Sequence, residues 1–168
     1  MSNLYKPHLL VLPEDEANEQ LANGIKLSLN INNRTLIIDK PVKGWMKVVK
    51  KYTEQVVAEM RKYPSRIVVL LIDFDCDAKK GDTPEKRFFQ VFNEIPDDLK
   101  SRTFVLGTLD EPEDLKTKLS MSLENIGETL AEDCPDKPNP LWNDDMLKHN
   151  TPELERLLET VKHFLFSK

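Results

Sequence analysis

The chain has 168 residues, enough for one domain with a buried core, and its 39% hydrophobic and 32% charged residues are those of an ordinary folded protein. A formal net charge of -5 argues against a protein that coats nucleic acid by bulk electrostatics, while leaving room for a local acidic metal site. No apolar run could span a bilayer, the start from Met1 to Pro7 is polar, and Cys76 and Cys134 lack zinc-ligand spacing, so a cytoplasmic protein with reduced thiols and no membrane partner is expected.

Eleven prolines against five glycines imply short, well-punctuated elements without a repeat or a flexible linker. Residues 8–12 read as a first strand, ended by Pro13 and followed by Glu14, Asp15 and Glu16. Residues 17–23 read as a short helix with Gly24 as its stop. Ile25, Leu27, Leu29 and Ile31 alternate with polar residues, which predicts a half-exposed strand over 25–31, paired as a hairpin with a strand at 35–38. Trp45, Val48, Val49, Tyr52, Val56 and Met60 recur at helical spacing and predict an amphipathic helix over 44–62, with Lys47, Lys50 and Lys51 on its wet face.

Ile67 to Ile72 is a continuous apolar run, the signature of a strand buried on both faces in the middle of a parallel sheet. Thr83-Pro84-Glu85 starts the next helix, with an N-cap, proline in the first turn and an acid, and Phe88, Phe89, Val91 and Phe92 are its expected buried side. Residues 102–107 form another buried strand. Leu115, Leu119, Leu123, Ile126 and Leu130 continue as helix, broken near Met121. Residues 134–140 hold three prolines and must be loop, anchored by Trp142. Thr151-Pro152-Glu153 starts a last helix with Leu154, Leu157, Leu158, Val161 and Leu165 as its buried stripe. The alternation predicts a single α/β domain, a Rossmann-like parallel sheet with helices on both faces, its core over 8–107 and a helical C-terminal extension over 108–168.

Ligand sites in such sheets lie at the carboxyl ends of the strands. Three strands here end in acids: Glu14 after the first, Asp73, Asp75 and Asp77 after the central one, and Glu111 and Glu113 after the last. Extended backbone would send Asp73, Asp75 and Asp77 to one side. Carboxylates crowded on one edge repel unless a cation or a partner intervenes, and oxygen-rich acidic sites suit Mg²⁺, Mn²⁺ or Ca²⁺. His149-Asn150 precedes the last helix, where a surface histidine near a cap is the commoner case. Cys76, between two acids, is expected to have a raised pKa and to be a poor nucleophile.

These residues give the chain, over roughly 8–107, a likeness to a known family. A glutamate just after the first strand and an aspartate-any-aspartate motif after the third make it resemble the TOPRIM domain, the metal-binding α/β module of topoisomerases, bacterial primases and OLD-class nucleases. Glu14 and Asp73-Phe74-Asp75 carry the match, and Asp15 stands where the family usually has glycine. The resemblance implies a TOPRIM fold and Mg²⁺- or Mn²⁺-dependent cleavage of nucleic-acid phosphodiesters, DNA or RNA. Asp73 and Asp75 would be the ligands, and Asp77, Glu111 and Glu113 further ones. Glu14 would serve as general acid/base or as a further ligand, and Lys79 and Lys80 as contacts to substrate phosphate. It also implies a possible partner ATPase or other protein subunit in a defence or repair complex. Tyr5, Tyr52 and Tyr63 lie outside any topoisomerase nucleophile context, so a nuclease is favoured. Two rivals remain. One is a non-catalytic interaction subunit with the same fold. The other is a haloacid-dehalogenase-like phosphatase, with Thr108 as its second motif but Cys76 and Asp77 where its usual threonine should follow.

Overall fold

In the computed structural model of the protein, which describes residues 3–76, 78–133 and 137–166, the central apolar run becomes a strand whose eight residues, Arg66–Asp73, are all buried. The elements in chain order are β1 (His8–Pro13), α1 (Glu16–Leu27), β2 (Leu36–Ile38), α2 (Trp45–Lys51), a π turn (Tyr52–Val56), α3 (Val57–Lys62), β3 (Arg66–Asp73), α4 (Pro84–Phe92), β4 (Thr103–Thr108), α5 (Pro112–Leu119), α6 (Leu123–Ala131) and α7 (Thr151–Leu165). The four strands form one all-parallel sheet in the order β2-β1-β3-β4, a Rossmann-like α/β architecture. In register, Leu9 pairs with both Leu36 and Ile67, and Ile72 with Gly107. Gly107 is required there, because a Cβ on it would lie 1.6 Å from the Ile72 carbonyl oxygen.

Side chains alternate between the two faces. Leu9, Val11, Val69, Leu71 and Leu106 meet α7 and part of α1 on one side, while Leu10, Leu12, Val68, Leu70, Ile72 and Val105 meet α2 to α4 on the other. On the second side, Val48, Tyr52, Val56 and Met60 are buried at intervals of four residues. A regular helix of 3.6 residues per turn would rotate that stripe off the sheet, and the wider π turn in its middle brings it back.

The predicted strand at 25–31 does not form, and there is no hairpin: β2 pairs parallel with β1. Instead α1 runs on through Gly24 to Leu27, leaving Leu27 and Leu29 exposed, and Ile31 makes only an isolated bridge to Phe166. The reason is tertiary. α6 packs on the outer side of α1 through Ala17, Leu21, Leu123, Ile126 and Leu130, and the two helices touch at glycines. A Cβ on Gly24 would fall 2.0 Å from the Glu124 oxygen, and one on Gly127 would fall 2.1 Å from the Leu21 oxygen. Gly24 is thus a helix-crossing residue and not a helix stop. The break between α5 and α6 falls where expected, with Ser120 left-handed. Phe89 is not buried; it is 56% exposed. Trp142 is half-buried and donates its indole N–H to the Leu130 carbonyl, and Cys134 lies outside the described residues.

β4 is an edge strand, and its outward backbone groups would be unpaired without help. Residues Thr103, Val105 and Gly107 point them away from β3, and the start of α7 meets all three. Arg156 donates to the Thr103 oxygen (2.9 Å), Glu153 accepts from the Val105 N–H (2.9 Å), and the Asn150 amide both accepts from the Gly107 N–H (3.0 Å) and donates to its oxygen (2.8 Å). Side chains therefore stand in for a fifth strand. This also moves the helix cap from Thr151 to Asn150, whose side chain is spent on Gly107. Among the described residues, no helix is long and apolar enough to cross a membrane.

Two substitutions test this packing. Gly127→Ala forces α1 and α6 apart and is expected to lower the unfolding free energy by roughly 1–3 kcal/mol, read as a lower urea midpoint at unchanged slope. Asn150→Ala leaves the buried N–H and C=O of Gly107 unpaired and is expected to be destabilising by about 3 kcal/mol in the same assay.

Candidate functional site

Because β1 and β3 are parallel neighbours, the residues that follow them share one edge. Glu14 extends their ladder twice: its N–H donates to the Leu71 oxygen (2.9 Å), and its Oε2 accepts the Asp73 N–H (3.0 Å). Asp73, the last residue of β3, has its Oδ1 held by Asn18 Nδ2 at 2.9 Å. Asn18 is positioned in turn by a reciprocal cap at the start of α1. Its N–H donates to Asp15 Oδ1 (3.2 Å), and the Asp15 N–H donates to Asn18 Oδ1 (3.1 Å). Glu14, Asp15 and Asp73 each place a carboxylate oxygen within 4.8 Å of the others, a cluster that could bind a metal ion.

Glu14 and Asp73 are 4% and 5% exposed, so two ionised carboxylates there would be poorly solvated as well as mutually repulsive. Burial pushes Asp73 up to about 8. The Asn18 hydrogen bond opposes that shift, and the charges of Glu14 and Asp15 add to it. Glu14 is also raised, again chiefly by burial. Without a cation the pair is expected to hold one shared proton at neutral pH.

The cluster forms one wall of an open cleft of about 540 Å³, lined also by Asp75, Glu111, Glu113, Lys43 and Gly44. The structure thus brings Glu14, Asp73, Asp75, Glu111 and Glu113 together, as the acid-ended strands suggested. Asp75 differs from expectation in one respect. Its left-handed backbone (φ 48°) ends the extended alternation, and it stands exposed on the rim, outside the three-carboxylate cluster, with Arg87 as its countercharge. Asp77 lies outside the described residues. Lys79 and Lys80 are exposed on a short turn and do not line the cleft.

Lys43 does line it. The Glu14 carbonyl accepts from both the Val42 and Lys43 N–H groups, tying the loop after β2 to the acid edge, and Lys43 and Gly44 both adopt positive φ there. The sequence carried little signal for Lys43, one lysine among many. Asn18 was legible in principle, three residues after the capping Asp15, but that spacing says nothing of its reach to Asp73. The Thr108 hydroxyl donates to the Asp110 carbonyl. Comparison with protein-family models, curated proteins and solved structures finds no match for the chain.

The pair's titration has a definite sign. The folded-state pKa of Asp73 lies above its unfolded value, so its contribution to stability is fully present below about pH 4 and is lost as pH rises towards 8. Asp73→Asn keeps an acceptor for Asn18 and cannot ionise. In metal-free buffer it is expected to match wild type near pH 4 and to exceed it at pH 8 by on the order of 2 kcal/mol, measured by thermal unfolding across pH.

Proposed function

We propose that the protein is a divalent-cation-dependent phosphodiesterase acting on nucleic acid, a TOPRIM-like nuclease or the nuclease subunit of a larger assembly. The supporting observation is the convergence of Glu14, Asp15 and Asp73 at the carboxyl ends of two adjacent parallel strands, facing an open cleft. Every donor is a carboxylate oxygen, the set that suits Mg²⁺ or Mn²⁺ over softer metals. Asp15, standing where the TOPRIM pattern has glycine, adds a carboxylate to the set. The strand expected at 25–31, which would have been an addition to the TOPRIM element order, is also not formed between β1 and β3.

Glu14, Asp15 and Asp73 would hold the ion, with Asp75, Glu111 and Glu113 as further carboxylates on the same cleft. When bound, the ion would neutralise charge on a scissile phosphate and lower the pKa of a water. Asn18 fixes the orientation of Asp73. Glu14, held by the Asp73 N–H, would either complete the ligand set or, left off the ion, take and return a proton. The Lys43 ammonium offers the cleft a cation for substrate phosphate. A non-catalytic docking subunit is the second reading. It is favoured by the hydrogen bonds that already satisfy Asp73 and Asp15 within the chain.

Calorimetric titration with Mg²⁺ and Mn²⁺ separates the two. Wild type is expected to bind the ion with release of a proton, more tightly at pH 8 than at pH 6. The double variant Asp73→Asn/Asp75→Asn should lose binding and lose roughly a hundredfold or more of phosphodiester cleavage on DNA or RNA. Absence of ion binding to wild type, with or without oligonucleotide, would leave the docking reading.

A further inference from the structure

Lys40, Lys43, Lys47, Lys50 and Lys51 fall within residues 40–53, a stretch with no aspartate or glutamate, although the chain as a whole has 29 acids against 24 lysines and arginines. Lys43 and Gly44 line the acid cleft, and α2 begins at the next residue, Trp45. Val48 is the buried residue of α2 and sets the helix against the sheet. Lys47 and Lys50, three positions apart, share an exposed face of that helix, a turn on from Lys43. The basic side chains therefore start at the rim of the cleft and run along the outside of α2.

Most of these charges are uncommitted. Lys51 pairs with Asp39 at 2.9 Å, which takes up the carboxylate that precedes the stretch. Lys40, Lys43, Lys47 and Lys50 are exposed and form no ion pair among the described residues, whereas Lys86, Lys100, Lys118, Lys148 and Lys162 each hold an acid. Glu54, four positions beyond Lys50, is the next carboxylate and ends the basic face. Like charges at this spacing repel, a cost that a bound polyanion removes. No apolar cluster accompanies them, since Met46 is the only large apolar side chain left exposed in the stretch. Protein–protein interfaces are poor in lysine and centre on apolar anchors, so this face suits a partner held by charge.

We propose that this face of α2 is a docking track for the sugar-phosphate backbone of a nucleic-acid strand, held by Lys40, Lys47 and Lys50 and passed by Lys43 into the acid cleft. The inference rests on the nucleic-acid reading of that cleft and adds the surface that holds the substrate. The seven residues of α2 rise about 10 Å, the length of about three phosphates at roughly 3.4 Å each. The track thus covers a few nucleotides on one side of the cleft. It also answers the electrostatics of the site: carboxylates alone repel a phosphate backbone, and cations at their rim lower that barrier. Phosphate contacts carry no sequence information, so docking here is independent of sequence.

The test is fluorescence anisotropy of a labelled single strand of about 20 nucleotides with the full chain, in EDTA so that nothing is cleaved, from about 50 to 200 mM salt. Lys40→Gln/Lys47→Gln/Lys50→Gln is compared with a control of equal charge, Lys6→Gln/Lys62→Gln/Lys137→Gln. All six side chains are exposed, so the unfolding midpoints should match wild type. The first variant is expected to bind about tenfold or more weakly and to flatten the slope of log Kd against log salt by about two, at about 0.7 per lysine. The control should change little, and strands of unrelated sequence should behave alike. Asp73→Asn/Asp75→Asn should bind at least as tightly as wild type. This pattern of binding without cleavage in Mg²⁺ would end the nuclease reading and leave the track standing. Equal weakening in the two lysine variants overturns the track, as does undiminished binding in the first, no binding by wild type at the lowest salt, or a preference of the same lysines for phosphatidylserine vesicles.

Discussion

Strand β3 makes the demand that the rest of the fold answers. Its apolar side chains need cover on both faces, each worth about 1.5–3 kcal/mol when fully buried, and its backbone needs partners on both edges. β1 and β4 supply the edges, with α1 and α7 on one face and α2 to α4 on the other. Every strand added creates a new edge, and the chain ends this regress at β4 with polar side chains. Asn150, Glu153 and Arg156 take up the three outward residues in turn. The last helix is therefore part of the sheet's hydrogen-bond system as well as its apolar cover.

The same arrangement forces the acids together. Parallel strands in register end together, so Glu14 and Asp73 meet because β1 and β3 pair. Folding then encloses two carboxyls that water would have kept apart and ionised. The chain relieves the strain with a hydrogen bond from Asn18 and with a backbone N–H from Asp73 to Glu14, and burial raises the proton affinity of both carboxyls. A site of this kind is more stable when protonated, and a cation held there would compete with the proton, which ties the stability of the site to pH.

Beyond β3 the strand splits the end of the sheet into two environments. One residue, Asp73, looks into an open, acidic and wet cleft. The next, Phe74, is buried in the layer of α2 to α4 and meets the half-buried His149 ring edge-on. Their separation follows from the two-residue period of a strand and needs no further device.

How much of this was legible in the sequence depends on the range of the interaction involved. The apolar run 67–72, the helix start at Thr83-Pro84 and the stripe from Leu154 to Leu165 are local patterns, and each formed the expected element. The acids Glu14, Asp73, Glu111 and Glu113 could be grouped because strand ends in an α/β sheet share an edge by rule. The strand expected at 25–31 failed because its alternating pattern was overruled by the contact of Gly24 with Glu124 of α6, far along the chain. Phe89 and His149 were misread for the same reason, since the burial of a side chain is set by what packs over it. By itself the sequence determined the periodicities, the caps and the acids that close each strand, because these depend on residues a few positions apart. Only the tertiary structure decided that Asn18 holds Asp73, that Lys43 reaches the acid cleft, that Asn150 seals the sheet and that the His149 ring packs on Phe74. Each of those depends on which distant segments the burial of β3 brings into contact.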